Sequence, residues 1–227
     1  APPLSGAFSF GVQEMAKVKL WSGVAVAVQS TLATALVITA VTKANPGVAT
    51  FTGTQPAAGS YVVVTANGMN GINNRVFRVG SPTATTFQLV GEDTTLYDTF
   101  TDGTAQVITF GTNLNSATGL SVSGGDFNFV DTTTIHEFIA TQVPGIASAA
   151  TYSMELLWDP SDAAQVAFKR ISNNKTLSAI RFTWPDGTVL VFNGYIGYVG
   201  LPAGNAQEKV TANCSFTMYG SPTIYGV

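Results

Sequence analysis

The sequence predicts a mainly β chain: a sandwich- or barrel-like sheet, one short α-helix, and a small all-β domain inserted into it. Three observations carry this expectation. Apolar and polar residues alternate in short runs broken by Gly, Asn, Asp and Pro clusters, the pattern of strands joined by turns. One stretch, after Trp158, has the caps and spacing of an amphipathic helix. A self-contained segment, residues 39–108, lies between strand-like flanks.

The elements follow in order. Val24, Val26 and Val28 alternate with Ala25 and Ala27. Leu36-Val37-Ile38 and Thr109-Phe110 read as the strands that flank the insertion. Within it, Asn45-Pro46-Gly47 opens the chain into a turn and Thr101-Asp102-Gly103 closes it. Tyr61-Val62-Val63-Val64 runs toward the turn dipeptide Asn67-Gly68, and Phe87 and Leu89 alternate with Thr86 and Gln88. An insertion between neighbouring strands keeps its ends close, and its length adds little entropy. The expected division is therefore 1–38 plus 109–227 as one domain, with 39–108 inserted.

Beyond the insertion, residues 111–125 read as a glycine-bearing loop, and Phe127 and Phe129 as a strand. The helix is expected to be capped by Asp159, with Pro160 at its first position and Asp162 in its first turn. Its apolar stripe would be Ala163, Val166, Ala167 and Ile171, and Asn173-Asn174 would end it. Residues 180–192 form the clearest hairpin, turning at Pro185-Asp186-Gly187, where Pro presets φ and Gly accepts positive φ. A second reversal is expected at Asn193-Gly194. The last long strand, 209–219, places Val210, Ala212, Cys214, Phe216 and Met218 on one face.

Composition narrows the function. Hydrophobic residues make up 45% of the chain and charged residues only 10%, against about a quarter charged in ordinary globular domains. Much of the surface must then be neutral, and neutral surface is cheap to desolvate against a partner. A net charge of −3 and the absence of any Lys/Arg run disfavour nucleic-acid gripping. One cysteine, Cys214, cannot form an intramolecular disulfide and reads as a small buried hydrophobe. The apolar stretch 32–41 is too short to span a bilayer, and no membrane insertion is expected. Ala1-Pro2-Pro3 is not expected to begin a signal peptide.

Chemistry-bearing motifs are sparse, and neither catalysis nor a cofactor is expected. The single histidine, His136, stands beside Glu137; on a strand the two would point to opposite faces. Gly124-Gly125 and the glycines between 194 and 204 lack the strand–loop–helix setting and lysine of a phosphate loop. Glu92-Asp93 is too small a set for a calcium cage. The aromatics Trp158, Trp184, Phe192, Tyr195 and Tyr198 read as core or interface anchors; a sugar-binding platform is the alternative.

These residues carry a resemblance. Ile180-Arg181-Phe182, Asp186-Gly187-Thr188, Phe192-Asn193-Gly194, Ala203-Gly204-Asn205-Ala206 and Gly220-Ser221-Pro222-Thr223, with the helix after Trp158-Asp159-Pro160, resemble the C-terminal half of lambda-type siphophage tail tube proteins. The resemblance covers residues 114–227 and the N-terminal arm. The insertion, through Asn45-Pro46, Gly59, residues 71–77, residues 86–89 and Tyr97, resembles a small β module recurrent in phage structural proteins. That module is similar to the first catalytic-cysteine half-domain of ubiquitin-activating enzymes. The insertion has no cysteine, so no thioester chemistry is implied.

The resemblance implies a tail-tube subunit whose strands join those of neighbours, six to a ring, with rings stacked around a lumen for DNA. It implies self-assembly, contact with tape measure, tail terminator and distal tail proteins, and a place in the virion tail after assembly in the host cytoplasm. Contacts between subunits are expected at Leu4, Phe8, Phe10, Leu20, Trp21, Tyr219, Ile224 and Tyr225. The inserted module is a candidate for contact with the host surface. The alternative function is a virion decoration or adhesin-like β protein that binds host carbohydrate.

Overall fold

The computed structural model describes residues 19–226. Of the described residues, 49% are in strands and 7% in helices. The strands are β1 (Ala25–Leu32), β2 (Leu36–Val41), β3 (Val48–Thr52), β4 (Tyr61–Asn67) and β5 (Arg75–Gly80). Next come β6 (Thr86–Leu89), β7 (Asp102–Leu114), β8 (Ala117–Ser123), β9 (Phe127–Asp131) and β10 (Gln142–Ala147). After β11 (Thr151–Leu157) and the helix α1 (Ala163–Asn174) follow β12 (Ser178–Thr183), β13 (Val189–Tyr198), β14 (Thr211–Met218) and β15 (Thr223–Tyr225).

The main sheet has 13 strands and runs β2-β3-β6-β5-β4-β7-β1-β12-β13-β14-β11-β8, with β15 added on β13. An extra pairing of β2 with β7 closes its first half into a barrel. Residues 36–108 therefore surround a core of their own, in which Phe51, Phe77, Phe87, Met69 and Ile72 are fully buried. A closed barrel has no strand edge left to aggregate.

The second half folds over on itself. Tyr152 on β11 and Phe182 on β12 are three strands apart along the sheet, which would separate them by about 14 Å if flat. Their ring centroids are 5.4 Å apart. The resulting sandwich encloses Phe182, Phe192 and Phe216, and α1 closes one side with Phe168 against Phe216 at 5.7 Å.

The two halves share a strand. Residues 102–108 of β7 pair with β4 in the barrel, while residues 108–114 pair with β1 in the sandwich. A third apolar cluster lies between the halves: Val76 and Ile108 from the barrel meet Ala179, Val189, Val191 and Tyr225, with Tyr61 and Phe110 at its rim. The barrel thus lies on the outer face of the sheet formed by β1, β12 and β13.

Several local expectations need correction. Asp162, not Asp159, caps α1: its carboxylate accepts from the Ala164 N–H at 2.9 Å. Asp159 is occupied one turn earlier, accepting from the backbone N–H and hydroxyl of Ser161. The buried helix face is Ala164, Gln165, Phe168 and Ile171, and Val166 is exposed. The helix ends at Lys175, whose φ of 52° is the left-handed cap. There is no reversal at Asn193-Gly194. β13 runs straight through, because these residues pass from pairing with β12 to pairing with β14. A Cβ on Gly194 would stand 2.5 Å from the Thr217 carbonyl oxygen, so the glycine serves close strand approach. Residues 111–125 are mostly strand, the end of β7 and all of β8, rather than a loop. His136 and Glu137 are not on a strand but in the loop between β9 and β10.

Candidate functional site

Strands β13, β14, β11 and β8 turn one face to the sandwich core and the other to solvent. Strict alternation places Ile196, Phe216, Met154 and Leu120 inward. The outward row across the same strands is Gly197, Ser215, Ser153 and Ser121, each registered opposite the next. The rows beside it are Tyr195, Thr217, Thr151, Ser123 and Asn213, Glu155, Gly119. Among the described residues Glu155 is the only charged one in these rows, and Lys209 reaches it at 3.6 Å. The face holds a shallow depression of about 560 Å³ lined by Gly119, Ser121, Ser153, Gly197, Asn213 and Ser215. It is a polar, nearly uncharged surface built from small side chains. On β13 this outward face continues from Gly197 and Tyr195 to Asn193, Val191 and Val189, where the barrel packs.

At the end of the sheet, β8 pairs with β11 and, among the described residues, with no other strand. Its other edge carries backbone donors and acceptors that a further strand could join. Beside it, strands β9 and β10 form a separate two-stranded ribbon. That ribbon is exposed along both strands and carries Phe127, Phe129, Val130, Val143 and Ile146. Its tip presents Ile135 at 96% and Phe138 at 105% exposure. An isolated ribbon is marginal in water, and monomers rarely expose apolar surface on this scale.

The residues expected at subunit contacts divide into three groups. Leu4, Phe8 and Phe10 lie outside the described residues. Leu20, Trp21, Tyr219 and Ile224 are exposed. Trp21 leans on Trp184 at 5.3 Å, and Tyr219 meets Tyr195 edge-on at 6.3 Å. Tyr225 is 4% exposed inside its own chain, where burial pushes its hydroxyl up to about 12.

The remaining candidates are absorbed into structure. Glu92 is buried against Arg75, and Asp93 accepts from the backbone and hydroxyl of Thr95. Cys214 is buried, which raises its thiol far above the ordinary range. The aromatics form no single platform. Phe192 and Tyr198 are core residues, the Tyr198 hydroxyl donates to Gln165 Oε1 at 2.8 Å, and the Trp158 indole donates to the Gly200 carbonyl.

The sequence showed β14, whose alternation is strict, and the first part of β13, residues 189–192. The rest of β13, β11 and β8 escaped because their Ser and Gly residues look like turn formers. Of the exposed ribbon, the sequence showed only the first strand, through Phe127 and Phe129; the second strand and the apolar tip carry no periodicity that marks them.

A neutral sheet face, an open strand edge and an unpaired apolar ribbon define a structural β protein made for assembly. The family model for the phage tail tube protein, TTP, matches residues 67–227. The match spans well over half the chain, and the protein belongs to the phage tail tube protein family. It begins at the end of β4, so it takes in half of the barrel as well as the sandwich from β8 onward. No curated protein matches the chain. The role is structural, in the tail tube of the virion.

Proposed function

We propose that the chain forms the tube of a siphophage tail as stacked hexameric rings, with the β13-β14-β11-β8 face lining a lumen through which DNA is delivered to the host. The observation that carries this reading is the polar face, whose one carboxylate among the described residues, Glu155, is paired with Lys209. DNA binds proteins mainly by releasing counterions to lysines and arginines. A wall of Ser, Thr, Gly and Asn, with the Lys209 ammonium held at Glu155, offers little such release, so the polymer slides. The free edge of β8 suits lateral joining, since a head-to-tail interface that closes gives a ring.

The β9–β10 ribbon, with Leu20, Trp21, Tyr219 and Ile224, supplies contacts between copies, and Leu4, Phe8 and Phe10 add to them. Tape measure, terminator and distal tail proteins meet the tube at its lumen and ends. Assembly takes place in the host cytoplasm. Residues 39–108 are an inserted domain on the tube's outside, where contact with the host surface is open to it. The test is electron microscopy of the purified protein. Rings or tubes of six-fold symmetry are expected; a chain that stays monomeric at high concentration under all conditions overturns the reading.

A further inference from the structure

We propose that the C-terminal strand β15 is a strap that holds the barrel shut against the sandwich, and that releasing it lets the barrel swing about a hinge at residues 33–36 and 107–109. The inference needs no assembled tube; it concerns the single chain.

The chain crosses between the two halves at two places, through the link from Leu32 to Leu36 and along β7 at Ile108. The crossings lie side by side: the Ala33 N–H donates to the Val107 carbonyl at 2.9 Å, and Leu36 registers with Ala105. Two adjacent crossings define one line, the axis of the proposed rotation, and the pairs Tyr61–Ile108 and Leu32–Ile108 lie on it. The strap works away from that line. β5 lies two strands beyond β7 in the barrel, so a tie there acts at a lever arm of about 10 Å.

β15 belongs to the sandwich by its backbone and to the barrel by its side chains. Its backbone pairs with β13, Val189 opposite Tyr225 and Val191 opposite Thr223. The Thr223 hydroxyl donates to the Val76 carbonyl at 2.9 Å, and the Tyr225 hydroxyl accepts from the Arg78 N–H at 2.7 Å, both acceptor and donor lying on β5. The Arg78 guanidinium sits over the Tyr225 ring at 4.5 Å. The ring itself fills the cluster between the halves. Ile224, between the two inward residues, points to solvent. Two further ties join the halves: Asn193 Nδ2 donates to the Asn74 carbonyl at 3.2 Å, and the Arg181 guanidinium sits over the Tyr61 ring at 5.9 Å.

The test is a distance measurement by pulsed electron spin resonance, with labels on Thr65→Cys in the barrel and Asn173→Cys on the helix, both exposed. Cys214 is buried and stays unlabelled under native conditions. The intact chain is expected to give one narrow distance population. Deleting residues 222–227 should add a second or broadened population while far-ultraviolet dichroism holds, and the Arg78 amide should lose exchange protection before other barrel amides. Should the deletion fail to fold, Tyr225→Ala decides, because it leaves the cores around Phe77 and Phe216 untouched. An unchanged narrow distribution in the folded variant overturns the proposal.

Discussion

Arg75 and Glu92 face each other inside the barrel, the Arg75 Nη2 donating to Glu92 Oε2 at 2.9 Å while Nη1 meets the other carboxylate oxygen. Both side chains are about nine-tenths buried. Nη1 also donates to the Gly71 carbonyl at 2.7 Å, and the Tyr97 hydroxyl donates to Glu92 Oε1 at 2.6 Å. One bidentate pair thus ties β5 to the loop after β6 and to the turn before β5. Removing one partner leaves a buried charge unmatched, so Glu92→Ala should cost about 3–5 kcal/mol in urea unfolding. Replacing both, as Arg75→Met with Glu92→Leu, should recover most of that loss. If the single and double variants unfold alike, the pair contributes little.

Lys19 anchors the root of the N-terminal arm on the 184–188 turn, its Nζ 2.6 Å from Asp186 Oδ2. The Lys19 hydrogen bond, helped by the Thr188 N–H, lowers Asp186 from 3.8 to about 2. Because the folded carboxyl is the stronger acid, the contact contributes its full share above about pH 3.8 and loses it as pH falls through about 2. Carboxyl titration by nuclear magnetic resonance should show a midpoint near 2. Lys19→Met should raise that midpoint but leave it below 3.8, since the Thr188 N–H remains. A midpoint unmoved by Lys19→Met would mean the lysine is a bystander.

The β class, the single helix, the 180–192 hairpin and the alternating β14 were all legible because each depends on local periodicity or a cap. What escaped depends on partners distant in sequence. Closure of the barrel needs β2 to find β7, some 65 residues away. Tyr225 looks like an exposed terminal aromatic until β15 is seen to lie against β5. Asn193-Gly194 has the composition of a turn, yet strand pairing on both sides overrides that preference.

The tip of the β9–β10 ribbon should matter to assembly and hardly at all to the fold of the monomer. Changing Ile135, Phe138 and Ile139 together to Ser removes apolar groups that touch no core cluster. Exposed substitutions of this kind typically move stability by within about 0.5 kcal/mol each. Thermal melts should therefore be close to wild type, while light scattering shows rings or tubes lost. A variant that assembles as well as the parent would remove the ribbon from the interface.

The proposed lumen makes the sharpest demand, because it assigns a function to the absence of charge. Ser153 lies mid-row, with Ser215 on one side and Ser121 on the other, and its side chain points to solvent. Ser153→Lys would place one cation per subunit on the lumen wall at little cost to the fold, since a lysine there keeps its head in water. Asn173→Lys puts the same charge on the exposed helix, away from the polar face. Each lysine that neutralises a phosphate steepens the fall of log K with log salt by about 0.9. Tubes of Ser153→Lys should consequently hold duplex DNA with a steep salt dependence and slow its passage, whereas Asn173→Lys tubes behave as the parent. If both variants pass DNA at the parental rate, or if both retain it equally, then the polar face does not meet the genome and another surface must line the channel.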